Sequence, residues 1–142
     1  MIFNYDDGGR SKYFKGETRD CVCRAICIAT GRDYKEIYDL INEIAKKEHK
    51  GKRKRGTSNA RKGVYKYTEK EIIEKILGWK WVATMTIGSG CQMHLTESEV
   101  PEGTIIAKVS HHLTCIKNKE IYDTFDCSRG GNRCVYGYWI KE

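Results

Sequence analysis

The sequence predicts an α+β fold in which N-terminal helices pack on a C-terminal antiparallel sheet. In the first half of the chain, apolar residues recur every three or four positions, which is helical spacing. After Gly78 the chain changes to short runs rich in β-branched and aromatic residues, which are typical of strands. With 142 residues and no internal repeat, we expect a single domain over 1–142.

The first predicted helix begins at a cysteine and ends at Gly31. Asp20 stands just before it as a good N-cap, because a short carboxylate can accept the unpaired N–H groups that open a helix. The apolar face of this helix is made of Val22, Ala25, Ile26 and Ala29.

Cys21 is the candidate nucleophile of the chain. The N–H dipoles at a helix start favour negative charge, and hence thiolate over thiol, so Cys21 can attack if a histidine reaches it. The alternative is a small core residue, which is what most buried free cysteines are. Cys23 lies about 200° round the helix, so both thiols cannot face one histidine, and the position beside the cap favours Cys21.

Two capping boxes predict the starts of the next helices. Asp33 and Glu36 open the second helix. Thr68 and Glu71 open a third, short amphipathic helix that Gly78 ends.

Between these helices lies a strongly basic segment, residues 46–66. It holds ten Lys or Arg residues and one acidic residue, Glu48, in a chain whose net charge is +7. Residues 51–59 have little to bury, so we expect a mobile loop that can be deleted without unfolding the domain. Its cations are either a solvated connection or a binding site for an acidic partner or nucleic acid, with Lys52, Arg53, Lys54 and Arg55 as the candidate binding residues.

The C-terminal half supplies the predicted sheet. Strand-like runs cover residues 79–83, 104–109, 112–116, 121–125 and 134–140. Residues 117–120 between two of these runs predict a hairpin turn.

The cysteines and the N-terminus indicate where the protein works. Seven cysteines cannot all pair within the chain, so we expect reduced thiols in a cytoplasmic protein. The first residues lack the pattern of a signal peptide, and no stretch approaches the ~18 apolar residues of a membrane span. Zinc held by Cys115 with His111 or His112 is an alternative, but the usual ligand spacing is missing, so we predict neither metal nor cofactor.

His112 is the candidate partner of the nucleophile. Alternation along a strand lets only one of His111 and His112 face the site. Asp123 follows His112 by eleven residues, on the next strand across the hairpin, where its carboxylate can hold the imidazole in the required tautomer. Without such partners, a histidine at a strand start is more often an ordinary surface or core residue.

The order Asp20-Cys21 at a helix start, then a strand histidine, then a polar residue on the following strand resembles the papain-like cysteine peptidases. Several further runs look like a group of small phage and prophage proteins: 18–21, 78–82, 112–114, 122–129 and 136–139. The resemblance implies a papain-like fold, with Cys21 as nucleophile, His112 as general base and acid, and Asp123 as the orienting residue.

Papain-like enzymes usually place a glutamine shortly before the cysteine to help bind the oxyanion. Residues 16–20 contain neither Gln nor Asn. The backbone N–H of Cys21 can supply one donor, and Asn4 or Gln92 would have to fold in to supply the second.

Two functions follow from these observations. The first is a thiol-dependent hydrolase that cleaves a peptide or isopeptide bond in a peptide or protein substrate. The alternative is a non-catalytic papain-like module, possibly phage-encoded, that binds a host protein or nucleic acid through residues 46–66.

Overall fold

A computed structural model of the chain describes residues 1–48 and 56–141. The fold is α+β, with three α-helices and a six-stranded mixed sheet. The helices are α1 (Cys21–Thr30), α2 (Tyr34–Ala45) and α3 (Lys66–Lys70), and the strands are β1 (Phe3–Tyr5), β2 (Trp79–Ala83), β3 (Thr104–Val109), β4 (His112–Lys117), β5 (Glu120–Asp123) and β6 (Gly137–Lys141).

The strands lie in the order β1-β5-β4-β3-β6-β2. All neighbouring pairs are antiparallel except β1 with β5, which are parallel with Phe3 opposite Ile121. The prediction of a purely antiparallel sheet is therefore wrong at this edge. Turn residues predict pairing only between strands that are close in sequence, whereas β1 and β5 are far apart in the chain.

The β4–β5 hairpin has the predicted position. Lys117 pairs with Glu120, and the two residues between them, Asn118 and Lys119, have φ values of 49° and 67°. Positive φ at both central residues is the geometry of a type I′ turn, whose twist matches that of the strands it joins. This turn sets the register that places His112 and Asp123 at the same end of the hairpin.

Each face of the sheet has its own apolar core. The helices cover one face, where Ile26, Ile37 and Trp139 are fully buried. Loop residues such as Leu95 and Val135 cover the other face against Ile105, Ile116 and Ile121. None of the helices in the described part of the chain has both the length and the apolar character needed to span a bilayer.

The second helix begins as predicted, and the third does not. Asp33 caps α2, and its carboxylate accepts the Glu36 N–H. The expected box at Thr68 is wrong, because α3 begins at Lys66 and the Thr68 hydroxyl donates to the buried Glu48 carboxylate. The helix then continues as a π-helical segment, Glu71–Ile76, before Gly78 at φ 74°.

The part of the basic segment that the structure describes after residue 55 makes specific contacts with the rest of the fold. Ser58 is buried, and both its N–H and its hydroxyl donate to Glu48. Ala60 is also buried, and its N–H donates to Asn42. Ser58 and Ala60 are therefore anchored to Glu48 and Asn42, while Lys52, Arg53, Lys54 and Arg55 lie outside the described residues. That residues 51–59 can be deleted without unfolding the domain stays a prediction.

Cys91 and Cys134 form a disulfide. The expectation of seven reduced thiols is wrong for this pair. The five other cysteines are free. Cys91 and Cys134 are 43 residues apart, and the chain brings their Cα atoms to 5.8 Å, within the range that a disulfide requires.

Candidate active site

Cys21 is the first residue of α1 and is partly exposed at the helix start. The side chain of Asp20 makes no capping hydrogen bond, so the predicted cap is wrong. Its carboxylate instead pairs with Arg24 and accepts a hydrogen bond of 2.6 Å from the Tyr34 hydroxyl. A carboxylate forms a stronger hydrogen bond with a buried guanidinium than with backbone N–H groups. The Asp20 carboxylate therefore binds these side chains and does not cap the helix.

His112 is the first residue of β4, directly after the turn that joins it to β3. Its Nε2 lies 2.7 Å from Oδ2 of Asp123, and the ring of Phe125 packs against the imidazole with centroids 5.0 Å apart. His111 lies in the turn itself with φ 57° and is exposed. Both histidines line the cleft, so the expectation that only one of them faces the site is wrong, because His111 lies in the turn and outside the strand alternation. His112 is the one held by a carboxylate.

Asp123 is the last residue of β5 and its side chain is only 3% exposed. Its second oxygen, Oδ1, accepts the Thr124 N–H at 2.7 Å and lies 3.3 Å from Nη2 of Arg24. We refer to Asp20, Arg24, Asp123 and His112 as the buried ion network. It links the start of α1 to the hairpin, so the helix that carries Cys21 and the strand that carries His112 are held by the same charges.

Cys21 and His112 line one cleft of about 620 Å³ between α1, β4 and residues 62–69. Cys21 also contributes to the raised pKa of the His112 imidazole. Because Nε2 faces Asp123, the other ring nitrogen, Nδ1, is left for a thiol. The structure therefore brings Cys21, His112 and Asp123 together.

The electrostatics of the cluster favour a protonated imidazole. Burial lowers the pKa of His112, but hydrogen bonds with Asp123, Cys127 and Cys21 and the charge of Asp123 outweigh it, raising the pKa to about 11. Burial likewise opposes ionisation of Asp123, but the hydrogen bond and charge of His112 hold the pKa of this carboxyl below its usual value. The pair is thus an imidazolium and a carboxylate at neutral pH.

Cys127 is a member of the cluster that the sequence analysis missed. Its thiol is a second hydrogen-bond partner of His112, and the residue is 1% exposed. Donor atoms of His112, Asp123 and Cys127 lie within 4.8 Å of one another, so these three could hold a metal ion. An ion bound there would be coordinated by the His112 imidazole, which could then not exchange a proton with Cys21. The expected zinc ligand Cys115 does not belong to this group.

The remaining free thiols are core residues. Cys23 is fully buried, and its pKa is raised by a hydrogen bond with Cys27 and by burial. Burial raises the pKa of Cys115 to about 12. Cys27 is 3% exposed. None of these thiols lines the cleft, which agrees with the preference for Cys21 over Cys23.

Neither Asn4 nor Gln92, the two residues considered as the second oxyanion donor, is placed to act as one. Asn4 lies on the edge strand β1 and donates to Glu120 and to the Ile121 carbonyl. Gln92 is exposed and donates to the Ser89 carbonyl. Neither residue lines the cleft.

Comparison with known proteins finds no match for this chain among protein-family models, curated proteins or solved structures.

Proposed function

We propose that this protein is a thiol-dependent hydrolase of the papain-like kind, which cleaves a peptide or isopeptide bond. Cys21 is the nucleophile, His112 the proton carrier and Asp123 the residue that orients His112. One observation carries the proposal: His112 is held by a buried carboxylate at 2.7 Å on one ring nitrogen and lines the same open cleft as Cys21.

The reaction begins with the proton already on His112. The pKa of this imidazole is raised to about 11, and the reacting form in this proposal is a Cys21 thiolate beside the His112 imidazolium. The Cys21 sulfur attacks the carbonyl carbon and forms a C–S bond. The imidazolium then donates its proton to the leaving amine as the C–N bond breaks, which leaves a thioester and a neutral His112.

Hydrolysis of the thioester restores the site. Neutral His112 takes a proton from a water molecule, whose oxygen attacks the thioester carbon, and the C–S bond breaks to release the acid and regenerate the thiolate. The N–H of Cys21 at the helix start is one donor for the oxyanion that forms in both steps. A reducing compartment such as the cytoplasm keeps Cys21 free to act and belongs to the proposal.

The alternative is a non-catalytic papain-like module, phage-encoded on the resemblance, that binds an acidic host protein or nucleic acid. The observation that favours it is the row of exposed cations at Arg61, Lys62 and Lys66 beside the cleft. In that case His112 and Cys127 are structural groups, and Cys21 has no special reactivity.

Competitive labelling of the thiols separates these functions without knowledge of the substrate. With limiting iodoacetamide at mildly acidic pH, Cys21 should be modified first, because it is the exposed thiol beside an imidazolium. His112→Ala should slow this labelling at least about tenfold, which corresponds to ~1.4 kcal/mol. Mass spectrometry of the labelled peptides gives the rates.

His94→Ala is the matched control, because His94 pairs with Glu99 outside the cleft lining, whereas His111 lines the cleft; His94→Ala should leave the rate unchanged. Cys91 should not react while its disulfide is intact. Equal rates in the two histidine variants, or modification of Cys23 ahead of Cys21, would exclude the hydrolase. A slower rate in the presence of Zn²⁺ that Cys127→Ala restores would indicate metal binding by the cluster.

A further inference from the structure

The walls of the cleft are charged very unequally. Five cations line it, Arg19, Arg24, Lys62, Lys66 and Lys108, against a single carboxylate, Glu69. Two of these cations are neutralised within the fold. Arg24 belongs to the buried ion network, and Nζ of Lys108 lies 2.7 Å from Glu69.

The other three, Arg19, Lys62 and Lys66, form what we call the cationic rim. They are exposed, and no carboxylate pairs with any of them within residues 1–48 and 56–141. Residues 49–55 contain no acidic side chain that could neutralise the rim. Within the described residues, the rim therefore carries unpaired positive charge in the lining of the cleft.

A hydrogen bond holds the two sides of the rim together. The Thr18 hydroxyl donates to the Arg61 carbonyl at 2.8 Å. Arg19 and Lys62 are the next residues on each side of this bond, and Arg19 is two residues from Cys21. The positive charge thus stands beside the thiol and is not spread evenly over the surface.

We infer that the cleft selects an acidic peptide segment, with carboxylates beside the bond that is cleaved. This inference rests on the function proposed above. Unpaired cations at the mouth of a cleft raise the local concentration of anions, because low-dielectric walls focus the field. The apolar part of the lining suits a peptide backbone and side chains, and consists of Val22, Val64, Val109, Leu113, Tyr65 and Phe125.

A peptide is favoured over nucleic acid by the surfaces that the cleft offers. Single-stranded nucleic acid is bound largely by stacking of bases on aromatic side chains. Two aromatic residues, Tyr65 and Phe125, line the cleft, but the ring of Phe125 packs on His112 and the other apolar side chains of the lining are aliphatic. The volume of about 620 Å³ is within the usual range for pockets that take small ligands or a few side chains.

The ratio of two alkylation rates at Cys21 measures the field in the cleft. Iodoacetate is an anion and iodoacetamide is neutral, so their rate ratio, relative to that of free cysteine, reports the local potential. We expect this rate ratio to exceed the free-cysteine value in the wild type. The ratio should fall about fivefold in the double variant Lys62→Glu/Lys66→Glu, and it should approach the free-cysteine value at about 1 M salt. Lys12→Glu/Lys80→Glu changes the same net charge outside the cleft and should leave the ratio nearly unchanged.

Two further probes identify the class of ligand. A peptidyl chloromethyl ketone with flanking Glu residues should inactivate Cys21 faster than its Lys counterpart. An eight-residue poly-glutamate peptide should protect Cys21 from iodoacetamide better than an eight-residue thymidine oligomer does; stronger protection by the oligomer would overturn the peptide assignment.

The outcomes distinguish the inference from the function on which it rests. If Cys21 labelling depends on His112 but the rate ratio is the same in the rim and control variants, the inference fails and the hydrolase stands. If labelling ignores His112, the hydrolase fails and the substrate assignment fails with it.

Discussion

The buried ion network and the cationic rim face the same cleft but hold their charges in opposite ways. The side chain of Arg24 is 7% exposed and lies between two carboxylates, those of Asp20 and Asp123. Lys62 and Lys66 are exposed, with no carboxylate partner in the described part of the chain. Leaving a buried charge unpaired is costly, so the network determines stability and geometry. An exposed charge costs little and acts at a distance, so the rim affects what approaches.

The largest difference between the two regions should appear in stability. Arg24→Leu leaves the carboxylates of Asp20 and Asp123 buried without their cation, and should lower the free energy of unfolding by about 3–5 kcal/mol. Urea denaturation measures this change. Arg32→Leu is the matched control, because Arg32 pairs with Glu36 four residues on but is exposed, and it should cost less than about 1 kcal/mol. Similar costs in both variants would show that the network is not energetically distinct.

A second test concerns the packed part of the basic segment. Ser58→Ala removes a hydroxyl that donates to the buried Glu48 carboxylate and accepts the Tyr65 N–H, and should cost about 1–3 kcal/mol. Thr57→Ala, at the exposed neighbouring position, should be nearly neutral. Urea denaturation of both variants gives the comparison. If Ser58→Ala is also neutral, residues 56–59 are as dispensable as their composition predicts.

The smallest expected effect is on reactivity and depends on pH. Burial lowers the pKa of His112 and Asp123 raises it, so Asp123→Asn should lower this pKa from about 11. The wild type then keeps its imidazolium through pH 8, whereas the variant loses it as the pH rises. Labelling of Cys21 in the variant should be up to about fourfold slower at pH 8, where a free thiol of pKa ~8.5 is still about one quarter thiolate, and closer to the wild-type rate at pH 6.

Nitrogen NMR of the His112 ring reports its protonation directly. Asp126→Asn is the control, since the Asp126 side chain bonds to Ser128 and not to His112. A His112 that titrates at the same pH in both variants would show that Asp123 does not hold its proton.

Much of the site could be predicted because its signals are local. Two residues with positive φ between β4 and β5 make a tight turn, which sets the register of the two strands. This register places Asp123 at the same end of the hairpin as His112. The helical spacing after Cys21 likewise predicts a helix that buries its apolar face. These inferences need only neighbouring residues and the periods of helix and strand.

Most of the errors involve partners that are distant in sequence; the pairing of Asp20 with Arg24, four residues on, is the exception. Asp20 is a residue type that often caps helices. Its carboxylate instead binds the side chains of Arg24 and Tyr34 and belongs to the buried ion network. Cys127 follows β5 in a loop with no periodicity, and only the return of that loop brings its thiol to His112. The pairing of β1 with β5 crosses more than a hundred residues.

By itself, the sequence determined the α+β class, the helix that begins at Cys21, and the hairpin that carries His112 and Asp123, because hydrophobic period and turn chemistry are properties of short segments. The tertiary structure alone decided which groups surround the imidazole and how each charge is paired. It assigned Asp20 to Arg24, brought Cys127 to His112 and packed Ser58 on Glu48. The physical reason is burial: once water is excluded, each polar group must find a partner among whatever side chains the fold brings near.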